Sequence, residues 1–377
     1  MGERAGRMDA SQVARRGRQV LPGFRKPTGG VVTLARSALE QWRQKARLRQ
    51  RAAIVIPPFD ASIRSRKVYF LAPDYPTPSG GVRVLYRHAD ILNAAGIPAL
   101  ILHQQAGFRC AWFENSTPVA AAASVQLGPD DLLVVSELDV DLLDRLAPEA
   151  RYIIFNQNTH LTWQRASIAP TPPQAMFTVS DHNARMLSFA YPHHTVERLR
   201  LGINATLFHP GSDHRPRRIT YMPRRGAGDA DQVLAMLRGR DALQGWDVVP
   251  LRDLSHEQVA AQMQSSRIYL AFTYQEGFGL PAAEAMAAGN YVIGYSGFGG
   301  EEFFRPEFSA AIALGDVMAF AQAVEAAIAH ETTTPGWCRE RGQAASGFVL
   351  ANYPREQEAR EVAALYRKYL YASPGAP

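Results

Sequence analysis

Cysteine is scarce in this chain, with two residues in 377, Cys110 and Cys338, and neither has a CxxC partner or a nearby His cluster. That excludes a disulfide framework and a structural zinc site, and it suits a reducing compartment. No run of 18 apolar residues occurs, so the sequence predicts no membrane-spanning helix. Residues 1–30 lack the apolar core of a secretory leader, so the expected location is cytoplasmic, with a peripheral place at the inner face of the cell membrane left open. Short-period repeats and low-complexity tracts are missing as well. What remains is ordinary globular composition, 46% hydrophobic, 20% charged and 10% aromatic. At roughly 100–200 residues per domain, this is enough apolar material for two cores.

Acidic residues are rare only at the start. Residues 1–67 hold 16 Lys+Arg against 4 Asp+Glu, a charge of +12, whereas residues 68–377 hold 25 against 31, or −6. A basic arm on a mildly acidic body directs the question of polyanionic partners to the arm alone. Within it, Val31, Ala35, Leu39, Trp42 and Ala46 recur at helical spacing among Arg36, Arg43, Lys45, Arg47, Arg49 and Arg51, which predicts a basic amphipathic helix over 31–52. Two readings stand. The helix docks on an anionic membrane surface, where each cation contributes about 1 kcal/mol, or it packs on the body through Leu39 and Trp42. Only Phe24, Trp42 and Phe59 are interleaved, too few for a single-strand stacking platform, so no nucleic-acid partner is expected.

From Lys67 onward short apolar runs alternate with helical periods, the pattern of parallel α/β architecture. Strands are predicted at Val68–Ala72, Ala99–His103, Leu132–Ser136, Tyr152–Asn156 and Ala175–Ser180, with helices near Val82–Ala95, Asp139–Leu146 and Asp181–Tyr191. A Pro/Gly/His/Arg-rich stretch, 208–218, reads as a linker. The alternation then restarts with strands at Arg218–Met222, Trp246–Pro250, Ile268–Thr273, Tyr291–Tyr295 and Ala310–Leu314. Helices are expected near Ala230–Arg238, Ser255–Gln264, Leu280–Ala288, Val317–Ala329 and Arg355–Leu370. The expected division is an arm at 1–60, a first doubly wound domain at 61–210, a second at 211–350 and a terminal helix at 351–377. Two such units imply a cleft.

The most informative segment runs from Phe272 through Glu276-Gly277-Phe278-Gly279-Leu280-Pro281 to Glu284 and Gly289. A strand ends, a loop with two glycines follows, and Pro281 stands just inside the next helix, where a missing N–H costs nothing. Amides at such a helix start face the carboxyl edge of the sheet, where open α/β folds bind ligands. Glycine lets the backbone approach a phosphate, Glu276 suits sugar hydroxyls, and Glu284 suits the two hydroxyls of a ribose. The plainer alternative makes Glu284 a carboxylate favoured by the helix dipole.

This wording, EGFGLPAAEAMAAG with its seven residues between the glutamates, resembles the retaining GT-B glycosyltransferases that carry an E-x7-E motif, the glycosyl transferases group 1 type. Gly299-Gly300-Glu301-Glu302 resembles the family's G-G-x-x-E continuation. Ser79-Gly80-Gly81-Val82 resembles the glycine loop of its N-terminal domain, and Leu201-Gly202-Ile203-Asn204 through Phe208-His209-Pro210 its crossover segment. The resemblance covers residues 68–370 and implies two Rossmann-like domains facing a cleft, with the last helix crossing back to the first. It implies a nucleotide sugar, UDP-, GDP- or dTDP-linked, held by Gly277, Phe278, Gly279, Leu280, Glu284, Arg252, Gly80 and Gly81, and a glycan or lipid-linked acceptor on the N-terminal domain. It also implies catalytic roles for Glu276, for Arg224 and Arg225 at the leaving diphosphate, and for His160, with Asn158 a weaker companion. Tyr-Met-Pro-Arg-Arg-Gly replaces the family's G-R-x…K-G, and Leu161 follows His160 where the family has Asp.

The resemblance implies no metal or other cofactor. The D-x-D triplets Asp139-Val-Asp141 and Asp229-Ala-Asp231 read as helix starts, and adjacent His193 and His194 do not share a face for ligation. The expected activity is retaining transfer of a hexose or deoxyhexose in surface polysaccharide or glycoconjugate assembly. The alternatives are a nucleotide-sugar epimerase or hydrolase of the same fold and a non-catalytic, membrane-associated scaffold.

Overall fold

The computed structural model describes residues 54–159, 171–223 and 226–372. The helix expected at 31–52 lies outside the described residues. The first sheet has seven strands, β1 (Val68–Leu71), β2 (Ala99–His103), β3 (Val119–Ala121), β4 (Leu132–Ser136), β5 (Tyr152–Asn156), β6 (Met176–Thr178) and β7 (Val196–Arg198). They lie in the order β3-β2-β1-β4-β5-β6-β7, and every pairing is parallel. Strands covered on both faces must be apolar throughout, and VYFL of β1 and LLVVS of β4 are buried at every position.

The second sheet has five parallel strands, β8 (Arg218–Tyr221), β9 (Asp247–Pro250), β10 (Ile268–Ala271), β11 (Tyr291–Gly294) and β12 (Ser309–Ala311), in the order β12-β11-β10-β8-β9. The helices are α1 (Gly80–Ala94), α2 (Asp181–Ala190), α3 (Ala227–Gly239), α4 (His256–Gln264), α5 (Leu280–Ala287), α6 (Val317–Thr333), α7 (Trp337–Asn352) and α8 (Arg355–Leu370). The helix expected at Asp139–Leu146 is a short 3-10 stretch, Val140–Arg145, since Pro148 follows too closely for a longer run.

Strand order reverses between β1 and β4 in the first sheet and between β8 and β10 in the second. Open α/β sheets bind ligands at such points, outside the carboxyl ends of the strands. The terminal helix α8 is packed on the first sheet. Its Tyr366 ring lies 5.4 Å from Phe70 and 5.1 Å from Phe177, and one apolar cluster runs from Val68 and Phe177 through Phe208 to Met286, Val349 and Val362.

Candidate active site

The second sheet builds its half of the site at the ends of β8 and β10. Gly279 caps α5 in the left-handed conformation, φ 92°, with Pro281 in the first turn. Gly226, also left-handed at φ 72°, caps α3, and a Cβ there would stand 2.1 Å from the Phe272 carbonyl. The loops after β8 and β10 therefore meet backbone to backbone, which only glycine allows. Arg224 and Arg225 lie outside the described residues, immediately before this contact. Asp229, in the first turn of α3, accepts hydrogen bonds through Oδ2 from Tyr274 and Tyr295, each at 2.7 Å. The bond to Asp229 holds the Tyr274 phenol in its neutral form, pushing its pKa up to about 12.

Glu276 is half-buried, and its backbone is tied to the loop after β11. Its N–H donates to the Gly297 carbonyl at 2.9 Å, and its carbonyl accepts from Gly299 N–H at 3.2 Å. Glu284, one helical turn into α5, is 6% exposed. Its Oε1 accepts from Arg83 Nη2 of α1 and pairs with His256 Nε2 of α4, both at 3.0 Å. Burial pushes this carboxyl up, but the His256 hydrogen bond and the Arg83 charge outweigh it and hold the group below the usual carboxylate value. His256 is itself steadied by the buried Phe208 ring, 4.9 Å away.

The first domain reaches the same place. α1 opens at Gly80 and Gly81, and a Cβ on Gly80 would stand 3.8 Å from Leu280 Cδ1 of α5. Gln157, just past β5, bridges the domains. Its side-chain Nε2 donates to the Gly81 carbonyl at 3.2 Å, and its own carbonyl would be 2.0 Å from a Cβ on Gly277. Any side chain at 277 would force the two domains apart. Buried Glu137, at the end of β4, accepts from Gln157 N–H at 3.2 Å and from the Asn158 amide. His160 lies outside the described residues.

Several expected positions behave differently from their neighbours. The Phe278 side chain packs in the core between Phe303 and Tyr353, at 5.3 and 5.1 Å, so only its backbone faces the loop. Arg252 is exposed just beyond β9. Glu302 is spent on holding the domains together, accepting from Asp181 N–H and Arg198 at 2.5 Å each and from Tyr353 at 3.1 Å. Arg83, Glu137, Gln157 and His256 went unread in the sequence. All four follow a strand end or open a helix at the carboxyl edge, which is the one signal that marks them.

Beside the His256–Glu284 pair a groove of about 1290 Å³ opens between the two domains. One wall is the segment from Arg109 to Ser116, with the Trp112 and Phe113 rings tilted against each other at 4.7 Å; the other carries Asp253, Leu254, Ser255 and Glu257. Trp112 is fixed by a hydrogen bond from Nε1 to the Tyr75 carbonyl at 3.0 Å.

Residues 247–344, from β9 into α7, match the model of the family described as glycosyl transferases group 1. That stretch contains Arg252, Glu276 and Glu284. This part of the chain is similar to the group 1 glycosyltransferases. An alpha-1,6-glucosyltransferase of Actinobacillus pleuropneumoniae serotype 7 (strain AP76) is 25% identical over 253 residues, 61% of this chain and 73% of the relative. Among solved structures, sucrose-phosphate synthase from Thermosynechococcus elongatus superposes with a TM-score of 0.63 at 15% identity, covering 82% of this chain and 100% of that one. HepE of Anabaena, in complex with UDP and glucose, gives 0.58 at 10% identity, covering 81% and 100%. These likenesses show the fold, two parallel-sheet Rossmann-like domains of the GT-B kind.

Proposed function

We propose that this protein is a glycosyltransferase that moves a hexose or deoxyhexose from a nucleotide sugar to a glycan or lipid-linked acceptor, with retention of anomeric configuration and without a metal ion. The observation that carries the reading is the Glu276–Glu284 segment at the β8/β10 reversal, its Gly277 backbone pressed against Gln157 of the other domain. UDP is the nucleotide to test first, because HepE is seen with UDP and glucose and the Actinobacillus relative is named a glucosyltransferase.

In this reading Glu284 accepts the ribose hydroxyls, the backbone of the glycine loop and Arg224 and Arg225 face the diphosphate, Glu276 accepts from sugar hydroxyls, and His160 stands at the sugar. The acceptor hydroxyl attacks C1 from the face the diphosphate leaves. The C1–O bond breaks with its electron pair passing to the phosphate oxygen, and that oxygen takes the acceptor's proton. No protein base is required. What the protein supplies is stabilisation of the departing charge, and preorganised donors of this kind contribute about 2.7–4 kcal/mol each.

The test is turnover of UDP-glucose with a panel of oligosaccharide acceptors, followed by the anomeric coupling constant of the product. The expected result is UDP release that requires acceptor, an α-linked product and a rate unchanged by EDTA. Release with donor alone, or a β-linked product, overturns the reading.

A further inference from the structure

α1 carries Arg83 out of the N-terminal domain and onto a glutamate of the C-terminal one. Arg83 Nη2 and His256 Nε2 both bond the same oxygen, Oε1 of Glu284, at 3.0 Å. Among the described residues no hydrogen bond reaches Oε2. Arg83 Nε is buried and likewise has no acceptor among the described residues. An acceptor oxygen and a guanidinium N–H, both unpartnered and on neighbouring side chains, match a ligand that offers hydroxyl donors and an anionic oxygen together.

We propose that Arg83 is a positioning residue for the nucleotide, holding Glu284 through Oε1 so that Oε2 is presented to the ribose hydroxyls; this rests on the nucleotide-sugar reading above. The two groups belong to different domains, so the carboxylate is organised in this way only when the cleft is closed. The charged and titratable groups around Glu284 are Arg83 from α1, Arg355 from α8, His256 and Glu257 from α4, Tyr269 from β10 and Glu276 from the loop before α5. Without Arg83 the buried carboxylate loses a principal stabilising charge. Its pKa rises, and the ionised form is lost at a higher pH.

Titration calorimetry of UDP against the full chain, from about pH 5 to about pH 8, tests this with Arg83→Gln, Arg83→Lys and Glu284→Ala. Arg83→Gln is expected to weaken UDP about tenfold near neutrality, with the loss widening toward acid, while Arg83→Lys keeps the wild-type pH profile. The melting temperature of each unliganded variant establishes that it is folded, and Arg83→Met, which also removes the charge, carries the test if the glutamine variant is not. An Arg83→Gln profile that is parallel to wild type, or unchanged, while Glu284→Ala abolishes binding overturns the role of Arg83 and leaves the nucleotide site standing. Failure of the wild type to bind UDP, GDP or dTDP overturns both.

Discussion

Two buried glutamates in this molecule have nearly the same neighbours. Glu284 at the cleft is held by Arg83 and His256; Glu358 on α8 is held by Arg87, with His88 Nε2 3.5 Å away. Arg83 and Arg87 sit one turn apart on α1, so one helix face serves both. The difference lies in what is left over. Glu358 Oε1 takes two guanidinium hydrogen bonds, at 3.0 and 2.6 Å, and Oε2 takes the Gly202 N–H at 3.0 Å. Glu284 receives both its partners on one oxygen. A saturated carboxylate locks α8 onto the N-terminal domain, whereas one with an open oxygen beside a groove is placed to receive a ligand. Residue types alone do not separate these two roles; the distribution of hydrogen bonds does.

The comparison breaks most visibly on stability. Glu358→Ala should cost about 3–5 kcal/mol in urea unfolding, because it strands Arg87 and the Gly202 amide in a buried site. Glu284→Ala should cost clearly less, since its partners are closer to solvent, but it should weaken nucleoside diphosphate binding by about 1.5–3 kcal/mol for each hydrogen bond lost. Equal stability losses in the two variants would mean the two sites are alike after all. Acid sharpens the same point. Burial pushes both carboxyls up, but their partners outweigh it and hold each below the usual value of 4.5. A folded value below the unfolded one contributes stability that is fully present above the unfolded pKa and is lost as pH falls through the lowered value. In melting temperature against pH, Glu358→Gln should flatten the limb below about pH 4.5 more than Glu284→Gln does. The smallest effect belongs to Tyr274→Phe, which removes one of two hydrogen bonds to Asp229 and should cost about 1 kcal/mol or less by the same unfolding assay. A loss of several kcal/mol there would give Asp229 a larger part than bracing one loop.

Much of the fold was legible because parallel strands write themselves as continuous apolar runs. β2, β4, β5 and α8 fall on the residues expected from the pattern. β3 and β7 did not show, being three-residue edge strands that are half-buried throughout. α7 was missed for a different reason. Its buried face includes Gly342, Ala345 and Ser346, and a Cβ on Gly342 would stand 2.0 Å from the Gly289 carbonyl. Helices that pack this closely use small side chains and leave no apolar stripe to read.

The candidate site divides along the same line. Glu276, the glycines and Glu284 lie within one short segment, so their spacing was visible. Arg83 meets Glu284 across 201 residues of chain, and only the folded arrangement joins them. In the sequence His160 draws attention, yet within the described residues it is Gln157 that spans the cleft. The GGEE continuation matches in wording, while its Glu302 works as a tie between domains.

The most direct test of the central claim is a thermal-shift panel of UDP, GDP, dTDP, ADP and CMP on the wild type and Glu284→Ala. A ligand at 100 times its dissociation constant stabilises the fold by about 2.7 kcal/mol. One nucleoside diphosphate should raise the wild-type melting point, and the rise should shrink in Glu284→Ala. No shift with any of them, or an equal shift in both proteins, would contradict it.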